Sequence, residues 1–347
     1  MHRTDFEFNN TCVGCSVSVG TFFDELAPAV SELIHGRKSL ILTDSNVSAL
    51  YFDNVTDSLR DAGAEMHSYI IPAGENSKTY TVLNSVLEYL IKNSFGRNDL
   101  IINLGGGVVS DLGGFAASVY MRGINYINIP TTLLSMVDSS FGGKTGIDFC
   151  GIKNVVGAFR HPLLIADAVS FLDTLTEREL HSGYGEIIKY HLLTGMDIFA
   201  PVSNETAERF ILNSIEAKYA FVCDDVFDSG KRKLLNLGHT FGHAFEAASD
   251  FELSHGEAVA LGLYSEAVFA EKAGLIPTAT SKTIRDAIGG FGLSVDFARY
   301  AKGAAQFLPH DKKRSGSLID LPLIEEPGKP FLAKIDLGDA ILFLDSF

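Results

Sequence analysis

Hydrophobic positions in the first half of the chain follow two alternating patterns. Short continuous apolar runs predict buried strands at 39–43, 66–71, 99–104 and 126–129. Apolar positions spaced by three or four residues predict helices at 47–62, before Gly63, and at 79–91. Because strands that alternate with helices usually form a parallel sheet, this half is predicted to be a doubly wound, Rossmann-like α/β domain.

The pattern changes at about residue 172, where helical spacing becomes dominant. Helices are predicted at 176–194, 205–226, 239–249, 256–273, 279–289 and 295–307. Near the end of the chain, residues 318–324 and 331–335 predict a small hairpin. We therefore expect an α/β domain over 1–171 and a mostly α-helical domain over 172–347, a division that suits the length of 347 residues.

Composition narrows the range of partners. The formal net charge of −15 disfavours nucleic acid and anionic membranes, since both require a basic surface on the protein. No apolar run approaches the roughly 20 residues that span a bilayer, and the N-terminus lacks the apolar core of a signal peptide, so a cytoplasmic protein is expected. Cys12 and Cys15 form a lone C-x-x-C, at most half of a zinc-finger site, and are interpreted as ordinary thiols.

A glycine-rich turn at 105–111 follows a predicted strand and begins a predicted helix. Backbone N–H groups at such a turn can bind a pyrophosphate, although the pattern is not G-x-G-x-x-G and a tight turn without a ligand is the alternative. Polar residues follow other predicted strands, notably Asp44, Glu75 and Thr131. Because ligands of an open α/β sheet bind at the carboxyl ends of its strands, these residues together favour a nucleotide cofactor.

The run at 136–146 contains the sequence G-G-K-T, which invites comparison with a phosphate-binding P-loop. A P-loop requires glycine where this chain has Asp138, so an ATPase is excluded. Lys144 is predicted on a flexible turn beside Asp138, and Lys153 and Asn154 follow soon after. This combination favours an anion site, with ordinary solvated lysines as the alternative.

Three histidines, His239, His243 and His255, occur within 17 positions and are flanked by glycines. His239 and His243 are four residues apart and share one face of a predicted helix, as do Glu186 and Lys189, which are three apart. One carboxylate and two imidazoles make a zinc site with an open coordination position, whereas isolated histidines would be ordinary core or surface residues. A zinc peptidase is disfavoured because threonine replaces the glutamate of H-E-x-x-H. A metal beside a dinucleotide predicts oxidation of an alcohol.

Longer motifs occur between residues 44 and 313, namely G-G-G-V-x-x-D, R-G-I-x-Y-x-x-I-P-T-T-L-L-S-M-V-D-S-S-x-G-G-K-T, K-N-x-x-G-A-F, G-Y-x-E-I-I-K, L-N-L-G-H-T-F-G-H-A-F-E, H-G-E-A-V-A and D-K-K. In these motifs the chain resembles the 3-dehydroquinate synthase family of the sugar-phosphate cyclase superfamily. The resemblance implies binding of NAD and of a divalent metal, usually zinc with cobalt as an alternative, and a homodimer. It also implies conversion of 3-deoxy-D-arabino-heptulosonate 7-phosphate to 3-dehydroquinate and phosphate, in the shikimate pathway of aromatic amino acid biosynthesis.

The resemblance also implies roles for individual residues. The implied metal ligands are Glu186, His239 and His255. The implied substrate-side residues are Asp138, Lys189 and His243 near the reacting groups, Lys218, Arg232 and Asn236 at the carboxylate, Lys144, Asn154 and Lys312 at the phosphate, and Arg122, which would reach across the dimer. The implied NAD-binding residues are Asp44, Asn46, Glu75, Lys78, Gly106, Gly107, Val108, Asp111, Thr131, Thr132, Lys144, Lys153, Phe171 and Thr174.

The implied reaction comprises transient oxidation by NAD, elimination of phosphate, return of the hydride and intramolecular aldol closure. Cations at 144, 189, 218, 232 and 312 suit a substrate that carries both a carboxylate and a phosphate. The alternatives are a related cyclase acting on sedoheptulose 7-phosphate or glucose 6-phosphate, an alcohol dehydrogenase, and a structural protein stabilised by metal. The residues implied at the carboxylate favour the first assignment.

Overall fold

The computed structural model describes residues 1–9, 14–197, 202–250, 252–310, 314–315 and 317–347. Contacts between Cα atoms divide the chain into two compact units. The first contains Met1–Leu175, Ser203–Ile215 and Val222–Phe227, and the second contains Thr176–Val202, Glu216–Phe221 and Asp228–Phe347. The predicted domain boundary after residue 171 stays a prediction.

The first unit is built on a seven-stranded sheet, which confirms the predicted parallel α/β architecture. Its strands and helices are β1 (His2–Phe6), β2 (Cys15–Gly20), α1 (Phe23–Ile34), β3 (Lys38–Asp44), α2 (Ser45–Ser58), β4 (Glu65–Ile71), α3 (Tyr80–Lys92), β5 (Leu100–Gly105), α4 (Gly107–Val119), β6 (Asn125–Pro130), β7 (Lys144–Phe149), β8 (Ile152–Phe159) and β9 (Leu164–Ala168). The strand order is β1-β2-β9-β6-β5-β3-β4, with only the edge pair β1–β2 antiparallel. The carboxyl ends of β3, β5 and β6 therefore meet at one edge, which is where the sequence predicted a nucleotide.

The separate hairpin β7–β8 corrects the prediction that Lys144 lies on a flexible turn. Lys144 is the first residue of β7 and pairs with Phe159 of β8. Gly142 and Gly143, with φ of +93° and +72°, lie just before β7, whereas Gly146 lies within the strand and faces Gly157 across the hairpin. A Cβ atom on Gly157 would lie 2.1 Å from the Thr145 carbonyl oxygen, so glycine is required there by close strand pairing.

The second unit is mostly helical, as predicted. Its elements, with the helix α6 that contributes to both units, are α5 (Glu177–Thr194), α6 (Asn204–Val222), α7 (His239–Ala248), α8 (His255–Lys272), α9 (Thr278–Gly290), α10 (Ala298–Ala304), β10 (Arg314–Ser315), β11 (Leu318–Ile324), β12 (Pro330–Asp336) and α11 (Leu337–Asp345). The predicted hairpin is present as the antiparallel pair β11–β12. The helix predicted at 205–226 ends earlier, at Val222, and the one predicted at 295–307 is α10 followed by a 3₁₀ turn.

Helices α5, α7 and α8 pack closely because glycines remove side chains where their backbones meet. A Cβ atom on Gly185 of α5 would lie 2.4 Å from the Gly256 carbonyl oxygen of α8. A Cβ atom on Gly262 of α8 would lie 1.9 Å from the Gly238 carbonyl oxygen, immediately before α7. These distances exclude any larger residue without movement of backbone, so the glycines determine how near the three helices approach.

Among the described residues, no helix is long and apolar enough to cross a membrane. Cys15 is buried, and burial together with the nearby Asp167 and Asp5 carboxylates raises the pKa of its thiol. A thiol in that setting is unreactive, in keeping with the interpretation as an ordinary buried residue. Cys12, its partner in the C-x-x-C, lies outside the described residues.

Candidate active site

The helical unit brings Glu186, His239 and His255 into one cluster. Glu186 lies in the middle of α5, whereas His239 and His255 are the first residues of α7 and α8. Glu186 Oε1 lies 3.3 Å from His239 Nε2 and 3.1 Å from His255 Nε2. One potential ligand atom from each residue falls within 4.8 Å of the other two. A carboxylate and two imidazoles converging in this way fit the donor set of an open zinc site.

Capping explains why His255 begins α8 where it does. Ser254 accepts a hydrogen bond from the Glu257 backbone N–H, and the Glu257 side chain accepts one from the Ser254 backbone N–H at 2.7 Å. This reciprocal pair is a capping box, a strong signal for the start of a helix. Thr176 and Glu179 form the same arrangement at the start of α5. The local sequence therefore determines where α8, which carries His255, and α5, which carries Glu186, begin.

The electrostatics of the cluster suit a cation. Burial raises the pKa of Glu186, but Lys189 and His239 outweigh this effect and hold the pKa well below its usual range. Lys189, one helical turn later, forms an ion pair with Glu186 Oε2. Burial lowers the pKa of His239 despite the nearby Glu186, which favours the neutral imidazole that binds metals. Glu186 is fully buried, so its charge is shielded from water and available to a bound ion.

The remaining ring nitrogens of the two histidines face oxygen atoms. His239 Nδ1 lies 3.0 Å from the Leu237 carbonyl oxygen, and His255 Nδ1 lies 3.9 Å from Glu246 Oε2. Burial lowers the pKa of His255, but the nearby carboxylates of Glu186 and Glu246 outweigh this effect and raise it to about 10. Such partners orient an imidazole so that Nε2 points at a metal. Glu246 was missed by the sequence analysis, although its i+3 spacing from His243 on one helix was a usable signal.

Three of the cations predicted at the substrate lie in the helical unit. Lys189, Lys218 and Arg232 are all buried, with Arg232 among the largest fully buried side chains of the described chain. Asn236, half-buried, donates from its amide to the Lys233 carbonyl oxygen at 3.0 Å. The His243 ring is 5.3 Å from the His239 ring and 6.0 Å from the His255 ring, so His243 lies beside the cluster.

In the first unit, the glycine-rich turn forms the start of α4 as predicted. Gly106 is the N-cap residue of α4 and offers no side chain to its backbone N–H groups. A Cβ atom on Gly106 would lie 3.1 Å from Thr132, and one on Gly107 would lie 3.1 Å from Ser139. The predicted residues Gly106, Gly107 and Val108 thus lie at a helix start beside Thr132, an arrangement that suits a phosphate group.

Three predicted cofactor residues converge on one ion-pair network. Lys78 Nζ lies 2.6 Å from Asp111 Oδ2 and 3.9 Å from Glu75 Oε1. Burial lowers the pKa of Lys78, but the carboxylates of Asp111 and Glu75 outweigh this effect and raise it. The Lys78 carbonyl oxygen accepts the Asp148 N–H at 2.9 Å, which ties the network to the β7–β8 hairpin. Lys78 is therefore held at both its backbone and its side chain.

Other predicted cofactor residues surround the same sheet edge. Asp44 caps α2 by accepting from the backbone N–H groups of Asn46 at 2.9 Å and Val47 at 3.1 Å. The Thr131 N–H donates to the Gly105 carbonyl oxygen at 3.1 Å, linking the ends of β5 and β6. Tyr51, which the sequence analysis missed, joins Phe171 and Thr174. Its hydroxyl donates to the Phe171 carbonyl at 3.1 Å and lies 2.5 Å from Thr174 Oγ1, a tertiary contact that no local pattern signals.

The structure describes two of the three residues predicted at the phosphate, together with Asp138, predicted near the reacting groups, and Lys153, predicted at NAD. Asp138 lies in a π-helical turn, Ser135–Ser139, and Lys144 is exposed at the start of β7. Asn154 is exposed with φ of +52°, and its N–H donates to Asp148 Oδ1 at 2.8 Å, while Lys153 is half-buried beside it. Lys312 lies outside the described residues.

Arg122 lies in a strained stretch of backbone. Met121, Arg122 and Gly123 have φ values of +48°, +67° and +116°, and Arg122 is exposed. Non-glycine residues in this region each cost on the order of 1–3 kcal/mol and persist where the surroundings hold them. Strain at an exposed arginine is consistent with a functional position.

Two family models match the chain in succession. The model described as 3-dehydroquinate synthase N-terminal matches residues 68–182, and the model described as 3-dehydroquinate synthase C-terminal matches residues 183–314. A relative from Streptococcus pneumoniae (strain ATCC 700669 / Spain 23F-1), named 3-dehydroquinate synthase, is 39% identical over 337 residues, covering 94% of this chain and 93% of the relative.

Solved structures of other cyclases share the fold. ValA, a 2-epi-5-epi-valiolone synthase from Streptomyces hygroscopicus subsp. jinggangensis 5008 solved with NAD+ and Zn2+, is 26% identical with a TM-score of 0.84, covering 95% of this chain and 96% of its own. A 2-deoxy-scyllo-inosose synthase, complexed with carbaglucose-6-phosphate, NAD+ and Co2+, is 23% identical with a TM-score of 0.90, covering 99% and 100%. At 23% identity, the similarity to this 2-deoxy-scyllo-inosose synthase shows a shared fold alone.

Proposed function

We propose that this chain, which belongs to the 3-dehydroquinate synthase family, converts 3-deoxy-D-arabino-heptulosonate 7-phosphate to 3-dehydroquinate and phosphate. The observation that carries the proposal is the convergence of Glu186, His239 and His255 beside the buried Lys189. The proposed enzyme is a carbon–oxygen lyase that depends on NAD and a divalent metal.

Glu186, His239 and His255 would hold the metal ion, for which we propose zinc, with cobalt as an alternative. A divalent ion bound there supplies Lewis acidity to a substrate oxygen. Lys189, which forms an ion pair with the Glu186 carboxylate, would hold or release a proton at the substrate. His243, next to the cluster, is positioned to donate a hydrogen bond to a substrate hydroxyl.

NAD is proposed to bind at the carboxyl edge of the sheet in the first unit. NAD bound there would supply an acceptor and donor of hydride. The start of α4, at Gly106 and Gly107, would donate backbone N–H groups to the pyrophosphate. Asp44, Lys78 and Asp111 would orient the rest of the cofactor, because each is already fixed by a hydrogen bond or ion pair.

The buried cations support an anionic substrate. Lys218 and Arg232 would bind the substrate carboxylate, with Asn236 beside them, since an arginine fork matches a carboxylate in two parallel hydrogen bonds. Lys144, Asn154 and Lys312 are proposed for the phosphate, with Arg122 supplied by the partner of a homodimer. Exposed apolar side chains on the β7–β8 hairpin, among them Phe149 and Ile152, support an assembly that covers them. A cytoplasmic location stays part of the proposal.

Substrate preference tests the proposal. Phosphate release should be faster with heptulosonate 7-phosphate than with sedoheptulose 7-phosphate or glucose 6-phosphate, which lack the carboxylate. Arg232→Gln should raise KM for the carboxylated substrate, whereas the exposed neighbour variant Lys231→Gln should not. Preference for sedoheptulose 7-phosphate would assign the chain to the related cyclases. Net accumulation of NADH absorbance would instead indicate an alcohol dehydrogenase.

A further inference from the structure

Helix α7 has no capping side chain of its own. Its N-cap residue is Gly238, in the left-handed conformation with φ of +77°, and no side chain at that position accepts a hydrogen bond. The neighbouring helices α5 and α8 both begin with capping boxes. Because the first N–H groups of a helix have no partner within the helix, those of α7 require acceptors from elsewhere.

Glu266 of α8 provides these acceptors. Its side chain is buried, with 1% exposure. Oε2 accepts the Gly238 N–H at 2.9 Å, and Oε1 accepts the Phe241 N–H at 3.0 Å. The two oxygens therefore hold the backbone on both sides of His239. A side-chain cap of this kind stabilises the start of a helix, and here it also joins two helices.

The backbone of α8 lies against the same point, one turn before Glu266. A Cβ atom on Gly238 would lie 2.6 Å from the Leu263 side chain, so position 238 is enclosed by α8 on this side. Together with the close approach at Gly262, this leaves the start of α7 little freedom to shift. The His239 ring is then oriented from that backbone, since its Nδ1 lies 3.0 Å from the Leu237 carbonyl oxygen.

We propose that Glu266 is a positioning residue of the metal centre, which caps α7 from α8 and thereby keeps His239 Nε2 facing Glu186. The inference rests on the proposed metal site. Glu266 acts through His239, because both of its carboxyl oxygens accept hydrogen bonds from the backbone. Removing the cap would let the first turn of α7 shift, and with it the imidazole.

Titration of metal-free protein with Co2+ tests the inference, because the visible absorption bands of Co2+ report the geometry of its ligands. Glu266→Gln keeps the side-chain shape but replaces one acceptor oxygen with an NH₂ group that cannot accept. It should weaken Co2+ binding on the order of 10- to 100-fold and change the visible spectrum, with far-UV circular dichroism unchanged. Glu271→Gln is the matched control on the same helix, where the carboxyl accepts from Ser281 instead. It should bind Co2+ like the parent.

Parent-like affinity and spectrum in Glu266→Gln, together with a lower melting temperature, would show that the side chain only stabilises the helix and would overturn the inference. Glu266→Ala should have the larger effect on Co2+ binding if it folds. If it does not fold, the isosteric Gln variant decides. A parent protein that binds no Co2+ would refute the proposed metal site itself, and the positioning role with it, whereas a loss confined to the Glu266 variants supports both.

Discussion

Gly256→Ala would add one methyl group where α5 and α8 come closest. The new Cβ atom would lie 2.2 Å from the Ser182 carbonyl oxygen and 2.5 Å from that of His181. Both atoms belong to the backbone of α5, so no side chain can rotate away to make room. His255 precedes Gly256, and Glu186 lies one turn after Ser182. Moving α5 and α8 apart would therefore lengthen the 3.1 Å contact between Glu186 Oε1 and His255 Nε2.

The size of the effect follows from these distances. A carbon–oxygen contact normally needs about 3.3 Å, so the helices must separate by roughly 1 Å at this point. Overpacking of this kind typically costs about 1–3 kcal/mol of the free energy of unfolding. Ligand distances in metal sites vary by only about 0.2 Å, so a shift several times larger should weaken metal binding by at least about tenfold.

The assay measures two quantities on metal-free protein, the free energy of unfolding in denaturant and the Zn2+ dissociation constant by competition with a chelator. Gly289→Ala is the matched control, because Gly289 lies near the end of α9 and its added Cβ would meet nothing within 4 Å. The control should be neutral or stabilising by up to about 1 kcal/mol. If Gly256→Ala bound Zn2+ like the parent and unfolded at the same denaturant concentration, the reasoning that this helix contact positions Glu186 against His255 would be wrong.

Two further predictions concern buried charges in the first unit. Asp167 is fully buried, neither of its oxygens has a hydrogen-bond partner among the described residues, and burial raises its pKa well above the usual range. The folded state therefore retains a proton that the unfolded chain loses above about pH 3.9, so the free energy of unfolding decreases as the pH rises from there towards the folded pKa. In denaturant titrations, the stability of Asp167→Asn relative to the parent should therefore increase as the pH rises above about 4, and a difference that does not change with pH would contradict this origin. Lys78→Met should cost roughly 3 kcal/mol of the free energy of unfolding, because it removes a buried ammonium group that is paired with Asp111. Lys92→Met, which breaks an exposed pair with Glu88, should cost less than about 1 kcal/mol, and equal costs would contradict this reasoning.

Much of the fold could be predicted because its signals are local. Apolar runs marked β3, β4, β5 and β6, and their alternation with helices predicted the parallel sheet. The hairpin β7–β8 escaped prediction because Gly142, Gly143 and Gly146 together suggested a turn. Only the first two precede the strand, with φ of +93° and +72°, whereas Gly146 pairs closely with Gly157 inside the hairpin. Glycine is ambiguous in sequence, since it suits both a turn and a close approach of two backbones.

The candidate site shows the same division. The spacing of Glu186 and Lys189, and of His239 and His243, predicted which side chains share a helix face. Glu266 and Tyr51 had no comparable local signal, and Glu246 had only its spacing from His243 on α7. Glu246 is 9 residues from His255, and Glu266 is 28 and 25 residues from Gly238 and Phe241. Tyr51 is 120 and 123 residues from Phe171 and Thr174, so only folding brings these residues together with their partners.

The sequence by itself determined the kinds of chemistry available: a carboxylate and imidazoles for a metal, a glycine-rich helix start for a phosphate, and a family whose motifs run through most of the chain. Only the tertiary structure decided which of those groups meet. The distance from Glu186 to His255 depends on how closely α5 and α8 approach, and the orientation of His239 depends on a carboxyl group from another helix. Spacing along a chain specifies neighbours within one helix, whereas contacts between helices depend on packing of the whole unit.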